Sequence, residues 1–457
     1  MKTTTNCATL FLVAALVAAA PSQAQSVAAR VPAPADELTL QEARDLTLSR
    51  SALLAKARLA VDGSGLVSQA QAYSGLPQIS ATAEDDLGYS PTGSPADTND
   101  FVAKIAVSQT LFDGGKNAKT VRKYDLATES SRRALEATRL SLLGQVDAAY
   151  FAVLEDEAAV QAAQSDLESA QLKQRLAQAK ADAAVLAQSA VLQTEADTAA
   201  YQTALLIARK NLASARAKLA SLTGLPASTR LQAVDFSSYA ALLDRLGALD
   251  ESGLGALAAR IGALARASSP SLAGYSLALS QAELGLQIAR AAYLPSVSLG
   301  LSGGLSYSLA GSGSAARALS LPGSLSLTAR MDLDYWTLNN GMAAARITAA
   351  QADADVKQGE SDLDLQVLQA LYEWVSSAAS IGSSSKALEY AQSSYQNVLE
   401  QYRLSAATTA DLTAAEATVS VDQTALIAAR YGFLANLSAL AVLAGLEDNA
   451  QLTALLP

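Results

Sequence analysis

The side chains that do enzymatic chemistry are scarce in this sequence and poorly placed for it. There is no histidine, and the only cysteine is Cys7. His- or Cys-based zinc sites, thiol catalysis and a Ser-His-Asp triad are therefore excluded. Carboxylates are plentiful, but most fall on helical stretches where no pair stands out as an acid with its base. No glycine-rich phosphate loop follows a strand. The residues point away from an enzyme and imply neither cofactor nor metal. The remaining acidic groups of interest lie near strand ends, Asp85-Asp86 and Asp332/Asp334. Such groups either line an aqueous passage or sit in solvent.

Charge and composition narrow the class. The formal charge of −10 argues against nucleic acid, whose phosphates need a basic surface. Half of the 457 residues are apolar, only 5% are aromatic, and alanine dominates, a composition suited to closely packed helices. Lys2, the apolar run Ala8 to Ala20 and the small residues of Ser22-Gln23-Ala24 read as a secretory signal peptide over residues 1–24. That run is too short to span a bilayer, and Cys7 precedes it, so no lipidation is expected there. No later run reaches about eighteen apolar residues. A mature chain that crosses a membrane therefore does so as strands.

The elements that would position any functional side chain follow from periodicity. Leu38 to about Ser74 reads as helix, with a possible break at Gly63-Ser64-Gly65. Alternating runs predict strands at about 77–89 and 100–112, joined by the loop Ser90–Asn99. Asp113-Gly114-Gly115 then opens a helical stretch to about Leu222 that contains no proline. Leu143, Val146, Tyr150, Val153, Val160 and Leu167 keep near-heptad spacing there, and a break at Ala183-Ala184-Val185 would fold the stretch into a hairpin over about 114–224. Thr223-Gly224-Leu225-Pro226 ends it. Residues 227–268 read as a less regular link with a short amphipathic piece from Tyr239 to Leu246.

The layout then restarts. A helix from Ser271 to Ala292, strands at about 294–309 and 323–336, and a hairpin over about 340–445 precede a tail of residues 447–457. Glu195 with Glu416, Gln202-Thr203-Ala204-Leu205 with Gln423-Thr424-Ala425-Leu426, and Gly224 with Gly445 align without a gap. Leu76-Pro77 with Leu294-Pro295 extends the match to the strands. The chain is thus two tandem repeats of helix-strand-strand-long helical hairpin, residues 25–226 and 269–446. Four strands of bilayer-crossing length cannot close a barrel, and an open sheet edge cannot face lipid. Three chains would supply twelve strands, within the range of outer-membrane barrels. A periplasmic or surface-associated coiled-coil scaffold protein, with a small soluble sheet, is the other reading left open.

The segment Tyr402 to Gly445 resembles the second hairpin of TolC-like outer-membrane efflux proteins, also called outer membrane factors. Leu111-Phe112-Asp113-Gly114-Gly115 is similar to the strand-to-helix junction of their first repeat, and Leu338-Asn339-Asn340-Gly341 would be its degenerate partner. The resemblance implies a mainly α protein with transmembrane β. Its homotrimer would form a 12-stranded β-barrel in outer-membrane lipid, continued by an α-helical barrel into the periplasm. It implies the exit duct of a tripartite efflux pump or type I secretion system, docked on a periplasmic adaptor (membrane fusion) protein and an inner-membrane RND, ABC or MFS transporter. It further implies a pore constriction at Tyr402 and Asp411, and adaptor-docking tips at Ala183, Ala184, Val185 and at Leu404, Ser405, Ala406. The sequence departs from the family pattern at Ala407, Ala414 and Ala190, where a closing network would place an arginine and two aspartates. Arg403 is available nearby. Tyr89, Phe101, Phe112, Tyr307, Tyr335 and Trp336 fit an aromatic girdle at strand ends.

Overall fold

The structure, a computed structural model, describes residues 37–88, 98–310, 318–320, 323–404, 406–447 and 449–456. The leader 1–24, Tyr89, most of the first strand loop, part of the second and Ser405 lie outside the described residues, as does the side chain of Tyr307. The chain enters through α1 (Leu40–Arg50) and α2 (Ala52–Tyr73). The break falls at Ser51, whose extended backbone closes α1 while its hydroxyl accepts from the Leu54 N–H at 3.2 Å. Gly63 and Gly65 ride inside α2, so the expected interruption there is not made. Strands β1 (Gln78–Gly88) and β2 (Thr98–Phe112) lead into α3 (Lys116–Asp182) and α4 (Gln188–Thr223). At 67 residues, α3 is about 100 Å long.

The link beyond α4 is more regular than its sequence suggests. A 3-10 turn (Phe236–Tyr239) and α5 (Ala240–Gly247) are followed by α6, an 18-residue helix over Glu251–Ser268. Three glycines weaken the helical signal of α6, but the Asp250 carboxylate accepts from the Gly253 N–H at 2.7 Å and caps it. Then come α7 (Pro270–Ala291), β3 (Ser296–Ala310), β4 (Ala318–Ser320), β5 (Gly323–Arg330), α8 (Tyr335–Arg403), α9 (Thr409–Leu443) and α10 (Asn449–Thr453). The last strand, expected over 323–336, stops at Arg330. Asp334 is an N-cap there, its carboxylate accepting from the Thr337 N–H at 3.2 Å, and capping commits the chain to helix at Tyr335.

The internal repetition is visible in the caps. Ser51 and Ser269 share the same backbone angles, and each accepts from the third residue of its helix. Gly224 and Gly445 both close a hairpin with φ near +70°, at 69° and 74°. Asp113 accepts from the N–H groups of Gly115 and Asn117 at 2.9 and 2.7 Å. Its counterpart at the displacement relating those glycines is Asp334. The second strand-to-helix junction is therefore Asp334, and Leu338-Asn339-Asn340-Gly341 lies inside α8.

The strands form one antiparallel sheet in the order β1-β2-β3, with β4 and β5 both on the far side of β3. β2 pairs with β3 along its length and so joins the two repeats. The largest core lies midway along the helices, where α1, α5, α6 and the C-terminal residues Leu452 and Leu456 pack around Tyr150 of α3, Trp374 of α8 and Phe433 of α9. Tyr150 donates to the carbonyls of Leu38 and Gln232 at 3.0 and 2.8 Å, which ties the chain entry to the link. Among the described helices, α9 alone would pass for a membrane span on length and apolarity. Its Phe433, Leu434, Leu437 and Leu440 are instead buried in this core.

The first hairpin turns through Ala183-Ala184-Val185. The Val185 N–H donates to the Lys180 carbonyl at 2.9 Å, and Ala184 takes φ of 59°, the left-handed region that favours glycine. Ala184→Gly is expected to stabilise the chain by about 0.5–1 kcal/mol, the relief of left-handed strain less the added freedom of the unfolded glycine. Guanidinium unfolding followed by circular dichroism measures it.

Candidate functional site

Two regions can carry function: the sheet and the two helical tips. In the sheet, cross-strand registers place Ile79, Val107, Leu301 and Leu325 in one row across four strands, with Leu299 and Leu327 paired beside them. On the opposite face the adjacent row is Ser80, Ala106, Ser302 and Ser324, with Lys104 and Thr82 next to it. Ile79, Leu301, Leu325 and Leu327 are exposed within the chain. One face is thus apolar and uncovered while the other is polar, the division a barrel wall makes between lipid and an aqueous lumen. Among the described residues, the outer edges of β1 and β5 pair with no further strand.

Aromatic residues mark the rim where strands become helices. Phe112 ends β2 half exposed, and Tyr335 and Trp336 are exposed in the first turn of α8, with ring centroids 6.3 Å apart. Two of the expected girdle residues therefore sit on a helix rather than on a strand, because Asp334 ends the extended run. Asp334 spends its carboxylate on the cap. Asp332 is exposed and 3.8 Å from Arg330.

At the tips, the predicted residues separate. Tyr402, in the last turn of α8, is only 3% exposed. The Lys180 ammonium lies 3.8 Å from its ring centroid and donates to its carbonyl at 2.8 Å, while the Tyr402 hydroxyl is buried without a partner among the described residues. Asp411 is exposed in the first turn of α9 and forms a capping box with Thr408. The Thr408 hydroxyl and N–H donate to its carboxylate at 2.7 and 2.9 Å and hold its pKa below the usual range. No hydrogen bond between Tyr402 and Asp411 is found among the described residues. Arg403 pairs with Glu400 on its own helix at 2.6 Å. Val185 and Leu404 are exposed, as are Ala183, Ala184 and Ala406.

Sequence reasoning missed a buried charged cluster between the hairpins. Lys173 of α3, 4% exposed, donates to Glu416 of α9 at 2.8 Å, to Thr413 at 3.1 Å and to Asp197 of α4 at 3.3 Å. Burial raises the Glu416 pKa, and Lys173 partly offsets it. The signal was present: Ala170, Lys173, Ala177 and Lys180 follow helical core spacing, so one lysine occupies a position whose neighbours are buried alanines.

A profile of the outer membrane efflux protein family matches residues 43–225 and 262–446, nearly the whole folded chain. The chain belongs to the outer membrane efflux protein family. A search of curated proteins returns no match. Among solved structures, the chain is similar to CusC, described in terms of transmembrane channel formation, at 19% identity and a TM-score of 0.75, covering 89% of this chain and 92% of that one. It is similar to the CmeC outer membrane channel of Campylobacter jejuni at 17% identity and 0.74, covering 92% and 90%. It is also similar to the open state of the MtrE outer membrane channel of Neisseria gonorrhoeae at 20% identity and 0.68, covering 89% of each chain. At these identities the likeness establishes the fold. This outer membrane efflux protein is a channel protein, not an enzyme. As a member of that family it is an outer-membrane protein.

Proposed function

We propose that three copies of this outer membrane efflux protein assemble as the exit duct of a tripartite efflux pump. Each would contribute four strands to a common barrel and two hairpins to a helical tube. The reading rests above all on one observation: a sheet with one uncovered apolar face and two outer edges unpaired among the described residues. In lipid those edges require partners, and β5 of one copy is antiparallel-ready for β1 of the next. A periplasmic adaptor would meet the tips, where Val185 and Leu404 offer exposed apolar side chains. An inner-membrane transporter of the RND, ABC or MFS type would select the cargo, small molecule or polypeptide. Tests are an outer-membrane fraction run unheated and heated on gels, and planar-bilayer recordings. Heat-modifiable trimers that conduct ions are expected. A water-soluble monomeric rod without conductance would refute the assignment.

Asp411 would bring three carboxylates together around the threefold axis at the entrance. Within one chain its exposure and the Thr408 hydrogen bonds favour the charged form. Asp411→Asn is expected to weaken block of the channel by divalent cations while preserving a capping side chain. Unaltered block would remove Asp411 from the pore.

A further inference from the structure

The basic side chains of the long helices divide by position. Lys116, Lys119, Arg122 and Lys123 lie in the first turns of α3, Arg346 lies early in α8, and Arg290 lies in the last turn of α7. All are at the end of their helix next to the sheet. Lys119 is half-buried and the other five are exposed. Among the described residues, none of the six pairs with a carboxylate. The next basic groups along α3 and α8 are paired: Arg132 and Arg133 with Glu129, Arg139 with Glu447, and Lys357 with Asp353.

Carboxylates are missing from the same zone. The chain has none between Asp113 and Asp125, and none between Asp334 and Asp353. Asp113 and Asp334 are spent on caps, Asp125 accepts from Ser68, and Asp332 stands beside Arg330. A chain of formal charge −10 thus carries a positive collar at one level, on the helical side of the exposed rim residues Phe112, Tyr335 and Trp336. Helix stability does not account for it. The N-terminal end of a helix is the positive end of its dipole and favours carboxylates, yet Lys116 is the first residue of α3 and that turn holds no acid. Dipole and lysines together suit an external anion.

We propose that the collar binds the phosphates of anionic phospholipids in the leaflet on the helical side, and so fixes how deep the sheet sits in the bilayer. The proposal rests on the reading of the sheet as a membrane wall. Side chains on a helix lean toward its N-terminus. Both α3 and α8 begin at the rim, so their cationic heads lean back toward the lipid. Lys116 to Lys123 spans about 10 Å, against a headgroup layer about 5–8 Å deep, and long stems let the farther heads snorkel into it.

The two tryptophans supply the test, because Trp336 is exposed at the rim and Trp374 is buried in the helical core. The full-length protein is reconstituted in mixed phosphatidylcholine and phosphatidylglycerol vesicles, with bromine on the acyl chains of one lipid or the other to quench the nearby indole. At low salt, phosphatidylglycerol should be preferred around Trp336 by about threefold to tenfold, and the preference should fall toward unity in about 0.5 M sodium chloride. Replacing Lys116, Lys119, Arg122 and Lys123 together by glutamine should remove most of it, and Arg346→Gln, on the other helix, should remove part. Equal quenching by the two lipids in the wild type overturns the collar, whether or not the variants assemble, and so does a preference that high salt leaves unchanged. Quenching by neither lipid overturns the membrane-wall reading itself, and this proposal with it.

Discussion

Replacing Arg44 with methionine should destabilise the folded chain by about 3–5 kcal/mol, the usual consequence of stripping one partner from a buried ion pair. Asp147 of α3 has no exposed surface. The Arg44 guanidinium meets it with both arms, Nε at 2.7 Å and Nη2 at 2.5 Å, in the paired geometry that suits a carboxylate. The Ser438 hydroxyl of α9 donates to the same carboxylate. One buried group thus holds the entry helix α1, the long helix α3 and the helix that ends the second hairpin. Arg44 also reaches the Glu447 carbonyl, and Glu447 pairs with Arg139, so the C-terminal residues depend on the same region. With methionine at position 44 the carboxylate keeps a single hydroxyl and no opposing charge. The double variant Arg44→Met with Asp147→Met should recover most of the loss, since an apolar pair of similar volume removes the desolvation penalty. Guanidinium unfolding of the detergent-solubilised protein measures both. A double variant no more stable than R44M alone would show that packing, not the unpaired charge, sets the effect.

Much of this fold was legible because its periods are long and its punctuation is strong. Pro77 and Pro295 precede strands, Gly224 and Gly445 close hairpins, and the turn at Ala183-Ala184-Val185 falls where the heptad pattern is interrupted. Two of the misread boundaries share one cause, local capping chemistry that overrides periodicity. Leu333 and Tyr335 continue the alternation of β5 in sequence, but Asp334 accepts the Thr337 N–H and turns the chain into α8. Asp250 does the same for α6, whose glycines hide it. At the tips, Tyr402 and Asp411 came from family likeness alone, and among the described residues no hydrogen bond joins them. Lys173, which joins three helices, was passed over because a lysine on an alanine-rich helix reads as solvated. Its burial depends on a partner, Glu416, more than two hundred residues away in the chain.

Trp374→Ala should cost about 3–5 kcal/mol, the range for deleting a fully buried large aromatic. Trp374 has no exposed surface and stacks on Phe433 with ring centroids 5.9 Å apart and an interplanar angle of 23°. Phe433 in turn meets Tyr239 edge-on at 6.1 Å, so the indole supports the link as well as both helices of the second hairpin. Alanine would leave a cavity that rigid helices of this length cannot close by shifting. The indole N–H, however, is buried without a partner among the described residues. Trp374→Phe removes that unsatisfied donor along with part of the ring, and relief of about 1–3 kcal/mol for a buried orphan group opposes the lost area. The phenylalanine variant should therefore lie within about 1.5 kcal/mol of the wild type, the tolerance of a near-conservative apolar exchange. The same unfolding measurement separates the two contributions. If W374F loses as much as W374A, the N–H has a partner in solution, a water within the core, and the indole is held by polarity as well as by packing.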